Sequence, residues 1–189
     1  MYVEPYLVGI LYGDGSLSKR KDGAYAIWID QAEVNKDIIR IEVIPRMEKL
    51  GHKVFAYRYL AKRDKTWKYR ALVYSKQLYQ FLKGTFERID KYIQSLSEDE
   101  AREFIAGLLD AEGTVTDRVV IYNENHGLLH AVRKKLVAMG FENVYIYNFG
   151  TVKGIQIYKR SVLKRFFKEI PSLKLRSNQG KIFHADQSD

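Results

Sequence analysis

The chain contains an internal repeat, and this repeat constrains its fold more than any other feature. Residues 6–16, which read Tyr-Leu-Val-Gly-Ile-Leu-Tyr-Gly-Asp-Gly-Ser, align without a gap on residues 104–114, Phe-Ile-Ala-Gly-Leu-Leu-Asp-Ala-Glu-Gly-Thr. Because self-similarity of this kind means that one structural unit occurs twice, the elements of one half are expected again in the other. We therefore expect two similar halves.

The elements that follow each copy of the motif come in the same order. An alternating strand at 26–31 corresponds to one at 118–123, and each leads into an apolar-periodic helix that ends at Gly51 or Gly140. Two further strands and a closing helix complete each half, so each half reads αββαββα. The predicted fold class is α+β, with two repeats related by a pseudo-twofold axis and the motif helices at the centre.

The repeat also divides the chain. We predict a first repeat at 1–90, a polar linker at 91–97, a second repeat at 98–176 and a polar, mobile tail at 177–189. Ser97 and Glu100 form a capping box that starts the second motif helix, and Pro5 suits the first turn of the first one. Pro45 interrupts an apolar-periodic segment and predicts a kink or two shorter helices there.

Composition excludes several classes of protein. The chain has no cysteine, which excludes disulfides, thiol nucleophiles and zinc knuckles, and its 4 histidines lack metal-ligand spacing. Any bound metal must therefore be held by oxygen atoms. No apolar run reaches the ~18 residues that a membrane span needs, and the N-terminus lacks a signal-peptide pattern. We expect a cytoplasmic protein without a membrane partner.

The charge of the chain indicates a polyanionic partner. The formal net charge is +9, and one stretch concentrates basic residues between aromatic ones. Its basic residues are Lys53, Arg58, Lys62, Arg63, Lys65, Lys68 and Arg70, and its one acid is Asp64. This pattern is typical of nucleic-acid binding, although a solvated strand face would also account for the basic residues alone.

The two motifs predict a close helix pair. Small residues recur four positions apart in both copies, at Gly9 and Gly13 and at Gly107 and Ala111. On a helix this spacing forms one stripe along which two backbones approach closely, and the simplest partner for each motif helix is the other one. Crossing there would bring the acids just beyond the stripe, Asp14 and Glu112, next to each other.

These two acids are in an electrostatically unfavourable position. Each lies at the C-terminal end of its helix, where the partial negative charge costs an exposed acid roughly 0.3–1 kcal/mol, and the two would also repel each other. A hard divalent cation such as Mg²⁺ would offset both effects, and this arrangement favours phosphodiester hydrolysis. Either sequence alone is more typical of a turn or a frayed helix end. Their occurrence at equivalent positions of a repeat favours the metal.

Residues 7–15 and 105–113 resemble the two motifs of the LAGLIDADG homing endonucleases. The first copy has Tyr12 where the name-giving motif has its first acid, while the acid that binds metal in the family is present as Asp14 and Glu112. The resemblance covers residues 4–176, and the chain is similar to the small monomeric two-motif enzymes often encoded within archaeal introns. It implies a monomer that cuts double-stranded DNA at a long, non-palindromic site, with Mg²⁺ or Mn²⁺ as cofactor and Ca²⁺ as a non-catalytic substitute.

The resemblance also implies roles for particular residues. Metal would be held by Asp14, Glu112, Gly13 and Ala111. Gln31 and Asn123 occupy the positions of a family amide that orders water near the metals, although helix N-capping, by Asn123 or Asn125, is the alternative. Lys174 and Arg176 are candidates for the basic group near the cleaved phosphates, with Arg176 at the best-aligned position and suited to charge stabilisation.

The family lays a saddle of antiparallel strands from both halves on the DNA major groove, and strand alternation sorts the residues. The helix-facing set is Tyr25, Ile27, Ile29, Trp67, Tyr69, Ala71, Val73, Val144, Ile146, Ile155 and Ile157. The DNA-facing set is Trp28, Asp30, Lys68, Arg70, Tyr145, Tyr147, Gln156 and Tyr158, joined by Arg58, Lys62, Arg63 and Lys65 of the basic stretch. A register slip of one residue would invert each strand.

Two functions of another class remain open. An intron-splicing maturase derived from the same fold would bind intron RNA, and a sequence-specific regulator would bind DNA without cutting it. Retention of both acids argues against a non-cleaving protein. An Asp14→Asn variant should abolish only the cleavage activity.

Overall fold

The computed structural model describes residues 1–183, and it shows two similar halves. The first half contains α1 (Pro5–Asp14), β1 (Gly15–Lys19), β2 (Tyr25–Ala32), a 3₁₀ turn (Glu33–Asn35), a π-helical segment (Ile38–Val43), α2 (Ile44–Lys49), β3 (Phe55–Leu60), β4 (Trp67–Tyr74) and α3 (Lys76–Phe86). After α4 (Ile89–Ser95), the second half contains α5 (Glu98–Glu112), β5 (Gly113–Val115), β6 (Val119–Asn123), α6 (His126–Ala138), β7 (Tyr145–Phe149), β8 (Val152–Ile157), α7 (Arg160–Glu169) and α8 (Leu173–Phe183).

Each half forms one four-stranded antiparallel sheet. The strand orders are β1-β2-β4-β3 and β5-β6-β8-β7, so the second sheet repeats the topology of the first. This confirms the predicted αββαββα order in both halves. Helices α4 and α8 are additions to it. No helix within residues 1–183 has the length and apolar character needed to cross a bilayer.

Strand alternation has the predicted register in both sheets. In β2, Ile27 and Ile29 are completely buried, while the residues between them, Trp28 and Asp30, keep partial exposure. In the second sheet, Ile155 and Ile157 are buried and Tyr145, Tyr147 and Tyr158 are exposed. The helices therefore cover one face of each sheet and leave the other open.

Trp67 is the exception to the predicted alternation. It has the parity of the buried residues Ala71 and Val73, yet 47% of its surface is exposed. The reason is its position at the first residue of β4, where it pairs with Leu60 of β3 and lies beyond the last residue of β4 that pairs with β2. The strand end extends past the neighbouring strand, so the prediction that Trp67 is buried was wrong.

Helix ends follow the sequence signals. Gly51 and Gly140 have φ angles of +81° and +79°, the left-handed conformation in which a glycine ends a helix. Ser97 and Glu100 make both hydrogen bonds of the capping box at the start of α5. At Pro45 the apolar-periodic segment divides into a π-helical part and the short helix α2, which confirms the predicted interruption.

The predicted linker at 91–97 and the predicted mobile tail at 177–189 are both partly helical. The segment predicted as a linker is helical through Ser95, because Ile89 and Ile93 are buried at helical spacing, and α4 packs against α6 of the second half. The first part of the predicted tail continues α8 to Phe183. Residues 184–189, the remainder of that tail, lie outside the described residues.

The two motif helices pack against each other along their small residues. A Cβ on Gly9 would lie 2.2 Å from the carbonyl oxygen of Phe104, and one on Gly107 would lie 2.1 Å from that of Tyr6. Both distances are shorter than any real contact of a Cβ, so only glycine permits this approach. The predicted helix pair is confirmed, and it forms the centre of a core shared by the two halves.

Candidate functional site

The helix pair places the two acids of the repeat side by side. α1 ends at Asp14 and α5 ends at Glu112, and each helix is followed directly by a glycine. A Cβ on Gly13 would lie 2.5 Å from the Cβ of Ala111 and 3.1 Å from the Cγ of Glu112. The side chain of Glu112 therefore packs against the residue that precedes Asp14, as the stripe of small residues predicted.

An amide side chain from a neighbouring strand binds each acid. Gln31, which is buried near the end of β2, donates from Nε2 to Oδ2 of Asp14. Asn123, at the end of β6, donates from Nδ2 to Oε2 of Glu112 at 2.7 Å. Asn125 provides the N-cap of α6 by accepting a bond from the amide of Leu128 at 3.1 Å. Of the two roles that the sequence left open, the cap thus belongs to Asn125, and Gln31 and Asn123 contact the acids.

The environment raises the pKa of both acids. Burial is the main cause at Asp14, and the nearby charge of Lys174 and the Gln31 hydrogen bond oppose it. For Glu112, burial is again the largest cause and the negative charge of Asp14 adds to it, so the pKa rises from 4.5 to about 7 despite the bond from Asn123. The charge of Asp14 therefore acts on Glu112, and a bound cation would favour the ionised forms of both acids.

Lys174 of α8 reaches the same place. Its Nζ donates to the carbonyl oxygen of Ala111 in the last turn of α5, at 3.0 Å, and to that of Gly113, the first residue of β5, at 2.9 Å. Burial lowers the pKa of this lysine, while the charges of Asp110, Asp14 and Glu112 act in the opposite direction. The chain thus supplies one positive charge of its own to the helix end where the sequence predicted that a cation is needed.

Asp110 fixes the start of α8 and was missed by the sequence analysis. Its carboxylate is completely buried and accepts bonds from the Tyr6 hydroxyl at 2.7 Å, from the Ser172 hydroxyl at 2.6 Å, and from the backbone N–H groups of Leu173 and Lys174, both at 2.9 Å. These donors come from both repeats, at sequence separations of 62 to 104 residues. Contacts between residues so far apart in the sequence cannot be predicted from the spacing of residues within one segment.

The second basic candidate, Arg176, has a different partner. Its guanidinium binds Oε1 of Glu42, a buried carboxylate that also pairs with Arg46 at 2.6 Å. Arg46 in turn lies over the ring of Tyr6, near the opposite end of α1 from Asp14. The better-aligned Arg176 therefore links α8 to the first repeat, and Lys174 is the basic residue at the acids.

The donor atoms fit a hard divalent cation. Asp14 and Glu112 offer carboxylate oxygens, which are ligands that Mg²⁺, Mn²⁺ and Ca²⁺ prefer, and the backbone oxygens of Gly13 and Ala111 stay predicted ligands. Mg²⁺ sites in particular use one or two carboxylates together with water and substrate phosphates. The carbonyl oxygen of Ala111 already accepts a bond from Lys174, so it has one remaining lone pair for a cation.

The open face of the first sheet carries charge that is partly neutralised. Arg70 forms a bidentate pair with Asp30, at 2.7 and 2.6 Å, so the two residues predicted to face DNA bind each other. Lys68 lies 3.4 Å from Asp64. Strand pairing puts Tyr57 opposite Arg70 and Tyr59 opposite Lys68, which adds two tyrosines to this face that the sequence analysis did not assign.

Arg58 is not on the open face with Lys68 and Arg70. It pairs with Tyr69 and therefore has the parity of the helix-facing residues, and its guanidinium stacks on Trp67 at 3.9 Å from the ring centroid. Its Nε also lies 3.6 Å from Glu33. The register thus gives Arg58 the side-chain parity of the helix-facing residues, and its contact with DNA stays a prediction.

The remaining predicted contacts occupy the expected surfaces. Lys62, Arg63 and Lys65 are exposed in the turn between β3 and β4. On the second sheet, Tyr145 pairs with Gln156 and Tyr147 pairs with Gly154, so their side chains share the open face. The first sheet thus presents the basic turn, and the second presents mainly tyrosine and amide groups.

Comparison with known proteins agrees with this geometry. Residues 99–171 match the LAGLIDADG-like domain. The chain is 32% identical over 146 residues to the homing endonuclease I-DmoI of Desulfurococcus mucosus, an alignment that covers 75% of this chain and 72% of that protein. The structure is similar to that of I-DmoI in complex with DNA and Ca, with a TM-score of 0.70, 28% identity, and coverage of 91% of this chain and 90% of the other.

Two further structures have the same architecture. I-DmoI in complex with DNA and Mn gives a TM-score of 0.69 at 28% identity and covers 88% of this chain and 94% of the other. The N-terminal LAGLIDADG domain of DUF199/WhiA gives a TM-score of 0.60 at 16% identity, covering 92% of this chain and 84% of the other, which shows a common fold alone.

Proposed function

This chain belongs to the LAGLIDADG homing endonuclease family, and from that membership we propose that it is a metal-dependent endonuclease that cuts double-stranded DNA at one long, non-palindromic site. A single chain carries both motifs, so it acts as a monomer. Because the two halves differ in sequence and in loop length, their target half-sites differ as well. The two-motif enzymes that this chain resembles are often encoded in archaeal introns. Because the chromosome of an archaeal cell lies in the cytoplasm, we propose that the protein acts in the cytoplasm.

One observation carries the proposal. The ends of two packed helices, one from each repeat, place Asp14 and Glu112 together, and each acid receives a hydrogen bond from an amide at the end of a strand. An acid pair at two helix C-termini is unfavourable for the fold alone. The pair fits a protein that recovers this cost when it binds cations and phosphate.

We propose that Mg²⁺ is the working cofactor, with Mn²⁺ as a substitute and Ca²⁺ as a cation that supports binding without cleavage. I-DmoI structures contain DNA with Ca, Mn or Mg. Asp14 and Glu112 would be the main ligands, with the carbonyl oxygens of Gly13 and Ala111 beside them. A divalent cation at these residues supplies Lewis-acid activation of water and stabilises charge on the leaving oxygen.

The protein residues around the acids have separate tasks in this proposal. Gln31 and Asn123 hold the carboxylates in one orientation, and their remaining polar atoms order water for in-line attack on the phosphorus. Lys174 provides a fixed positive charge for the pentavalent phosphate that forms during hydrolysis, which is the type of preorganised electrostatic stabilisation that accelerates such reactions most. The water proton passes to solvent, and the leaving oxygen takes up a proton from solvent.

We propose that the open faces of the two sheets bind the DNA. Lys62, Arg63 and Lys65 would contact phosphates at the end of the β3–β4 hairpin, and Trp28, Lys68 and Arg70 would lie over the groove. On the second sheet, Tyr145, Tyr147, Gln156 and Tyr158 would contact bases and sugars. Asp30 would then orient Arg70 for a base edge in addition to neutralising it.

Selection of cleaved molecules from a randomised duplex library, in the presence of Mg²⁺, tests the proposal. The expected result is one family of long, asymmetric sequences cut at fixed positions in both strands, and none with Asp14→Asn plus Glu112→Gln. Binding of duplexes without cleavage would favour a regulator, and selective binding of intron RNA with splicing assistance would favour a maturase. Either of these results would overturn the proposal.

A further inference from the structure

Tyr12 connects the first motif helix to the acid of the second repeat. Its hydroxyl accepts a hydrogen bond from Nδ2 of Asn125 at 2.8 Å, across 113 residues of sequence. The ring is held edge-on against Phe86 of α3, with 5.1 Å between the ring centroids and an angle of 87° between the planes. The hydroxyl is therefore presented to the second repeat by two elements of the first.

Asn125 transmits this contact to Glu112. Its backbone N–H donates to Oδ1 of Asn123 at 2.8 Å, and Nδ2 of Asn123 donates to Oε2 of Glu112 at 2.7 Å. Three consecutive hydrogen bonds thus run from the Tyr12 hydroxyl to the carboxylate of Glu112. We call this chain of Tyr12, Asn125, Asn123 and Glu112 the relay. Because Asn125 also caps α6 through Leu128, the relay is anchored to a rigid helix end.

Within residues 1–183, the relay has no counterpart around Asp14. Position 110 is the equivalent of Tyr12 in the second motif, and there the buried Asp110 binds the start of α8. Glu33, which follows Gln31 as Asn125 follows Asn123, pairs with Lys36 and Arg58. In the described part of the chain, the carboxylate of Asp14 is held by Gln31 without a hydrogen-bond relay of this type from the other repeat.

An open cleft lies beside the relay. Its volume is about 510 Å³, and it is lined by Tyr12, Glu112, Tyr122, Asn123, Glu124, Asn125 and Val152. Tyr12, Asn123 and Asn125 of the relay line this cleft together with Glu112, so the relay and the acid border the same space.

From this geometry we propose that Tyr12 is a positioning residue for Glu112, so that the cleavage of one DNA strand, and not of the other, depends on a hydroxyl from the opposite repeat. The inference rests on the proposed endonuclease function. It assigns a role to the position at which this chain departs from the motif, where a tyrosine replaces the first acid. The two strands are then cut by centres that differ in how their acid is held.

The test measures the cleavage rate of each strand separately. A duplex selected by the wild-type protein is labelled on one strand at a time, and single-turnover rates are followed with protein in excess and Mg²⁺ present. Glu112→Gln identifies the strand that this acid serves. Tyr12→Phe, which keeps the ring contact with Phe86, is expected to slow that same strand roughly three- to tenfold and the other strand less than about twofold.

Two further variants separate positioning from loss of structure. Asn125→Ser keeps a side-chain acceptor for the α6 cap but lacks the amide that reaches Tyr12, so it should slow the same strand. Tyr2→Phe removes an exposed phenolic hydroxyl elsewhere on the first repeat and should leave both rates unchanged. The affinity for the target and the thermal unfolding temperature of Tyr12→Phe should stay close to those of wild type.

The outcomes distinguish the inference from the function on which it rests. If wild type cuts neither strand of any selected duplex, the proposed function fails and the inference fails with it. If wild type cuts both strands but Tyr12→Phe and Asn125→Ser slow them equally, or slow neither, the inference alone is overturned. A strand-specific loss in both variants at unchanged affinity supports it.

Discussion

The backbone N–H of Lys174 donates to the buried carboxylate of Asp110 at 2.9 Å. This contact joins the end of the second motif helix to the first turn of α8 and brings the Lys174 ammonium back to the carbonyl oxygens of Ala111 and Gly113 around the end of that motif helix. The helix end that carries Glu112 and the helix that carries Lys174 are therefore fixed relative to each other by one residue.

Replacement of Asp110 is expected to destabilise the fold strongly. Asp110→Ala leaves four buried or half-buried donors without their acceptor, and bonds to a charged group contribute about 1.5–3 kcal/mol each, so a loss of at least about 3 kcal/mol in the free energy of unfolding is expected. Urea unfolding measures it. Asp90→Asn, at an exposed position, is the control and should change stability by less than about 1 kcal/mol. Equal effects of the two substitutions would contradict this account of Asp110.

Lys174 and Arg176 are expected to have different roles despite their proximity in sequence. Lys174→Met removes the positive charge next to both acids and should lower the cleavage rate of both strands about 100-fold, with a small change in target affinity. Arg176→Met leaves the buried Glu42 with one partner fewer and should reduce stability more than rate. Single-turnover cleavage and urea unfolding of both variants separate the roles. A larger rate loss for Arg176→Met would reverse the assignment.

The close approach of the motif helices makes a single methyl group at Gly9 destabilising. Gly9→Ala places a Cβ 2.2 Å from the carbonyl oxygen of Phe104, so we expect a loss of about 1–3 kcal/mol and a displaced pair of acids. Among the described residues, no atom lies within 4 Å of a Cβ built on Gly84 of α3. Gly84→Ala is therefore the matched control and should stabilise the protein by about 0.5–1 kcal/mol. A neutral Gly9→Ala variant would rule out the proposed contact.

The pKa of Glu112 predicts how stability depends on pH in the absence of divalent cations. In the folded state the Glu112 carboxyl group keeps its proton up to a pH of about 7, whereas the ordinary pKa of a glutamate is 4.5. Because the folded state binds more protons between these values, the free energy of unfolding falls as the pH rises from 4.5 to 7. Glu112→Gln should lack this loss, so the two stability curves should diverge across that window. Parallel curves in urea unfolding would contradict the raised pKa.

The basic turn of the first sheet is expected to dominate the salt dependence of DNA binding. Neutralising Lys62, Arg63 and Lys65 together should reduce the slope of log K against log salt by roughly 3, because each phosphate that is no longer neutralised lowers the slope by about 0.9. The control neutralises three exposed lysines of helices, Lys83, Lys164 and Lys168. An equal reduction of the slope by the control would show that charge on any face suffices, and the proposed surface would be wrong.

The sequence predicts the parts of the site that depend on spacing along the chain. The stripe of Gly9 and Gly13, the position of an acid before a glycine, and strand alternation all follow from helix and strand periods, and the structure shows each of them. One half alone would not predict that the two acids lie close together. The repeat does predict it, because the contact between the two motif helices relates the equivalent acids to each other.

The parts that depend on contacts between distant residues do not follow from spacing. Asp110 finds its partners at separations of up to 104 residues, and the choice between Lys174 and Arg176 depends on how α8 rotates about its axis. Trp67 was misplaced, and the side of the sheet on which Arg58 lies was not assigned, because the extent of β2 and the register of β3 decide their environments. Such features are set by tertiary packing, for which the local pattern holds no signal.

Anomalous diffraction from Mn²⁺ in crystals of the protein with its selected DNA target tests the central claim most directly. The account predicts manganese peaks within bonding distance of the carboxylate oxygens of Asp14 and Glu112 and of phosphate oxygens at the cleaved positions. Asp14→Asn and Glu112→Gln should each weaken the peak at the substituted residue. Manganese bound elsewhere, with both carboxylates away from the metal and the DNA, would contradict the account.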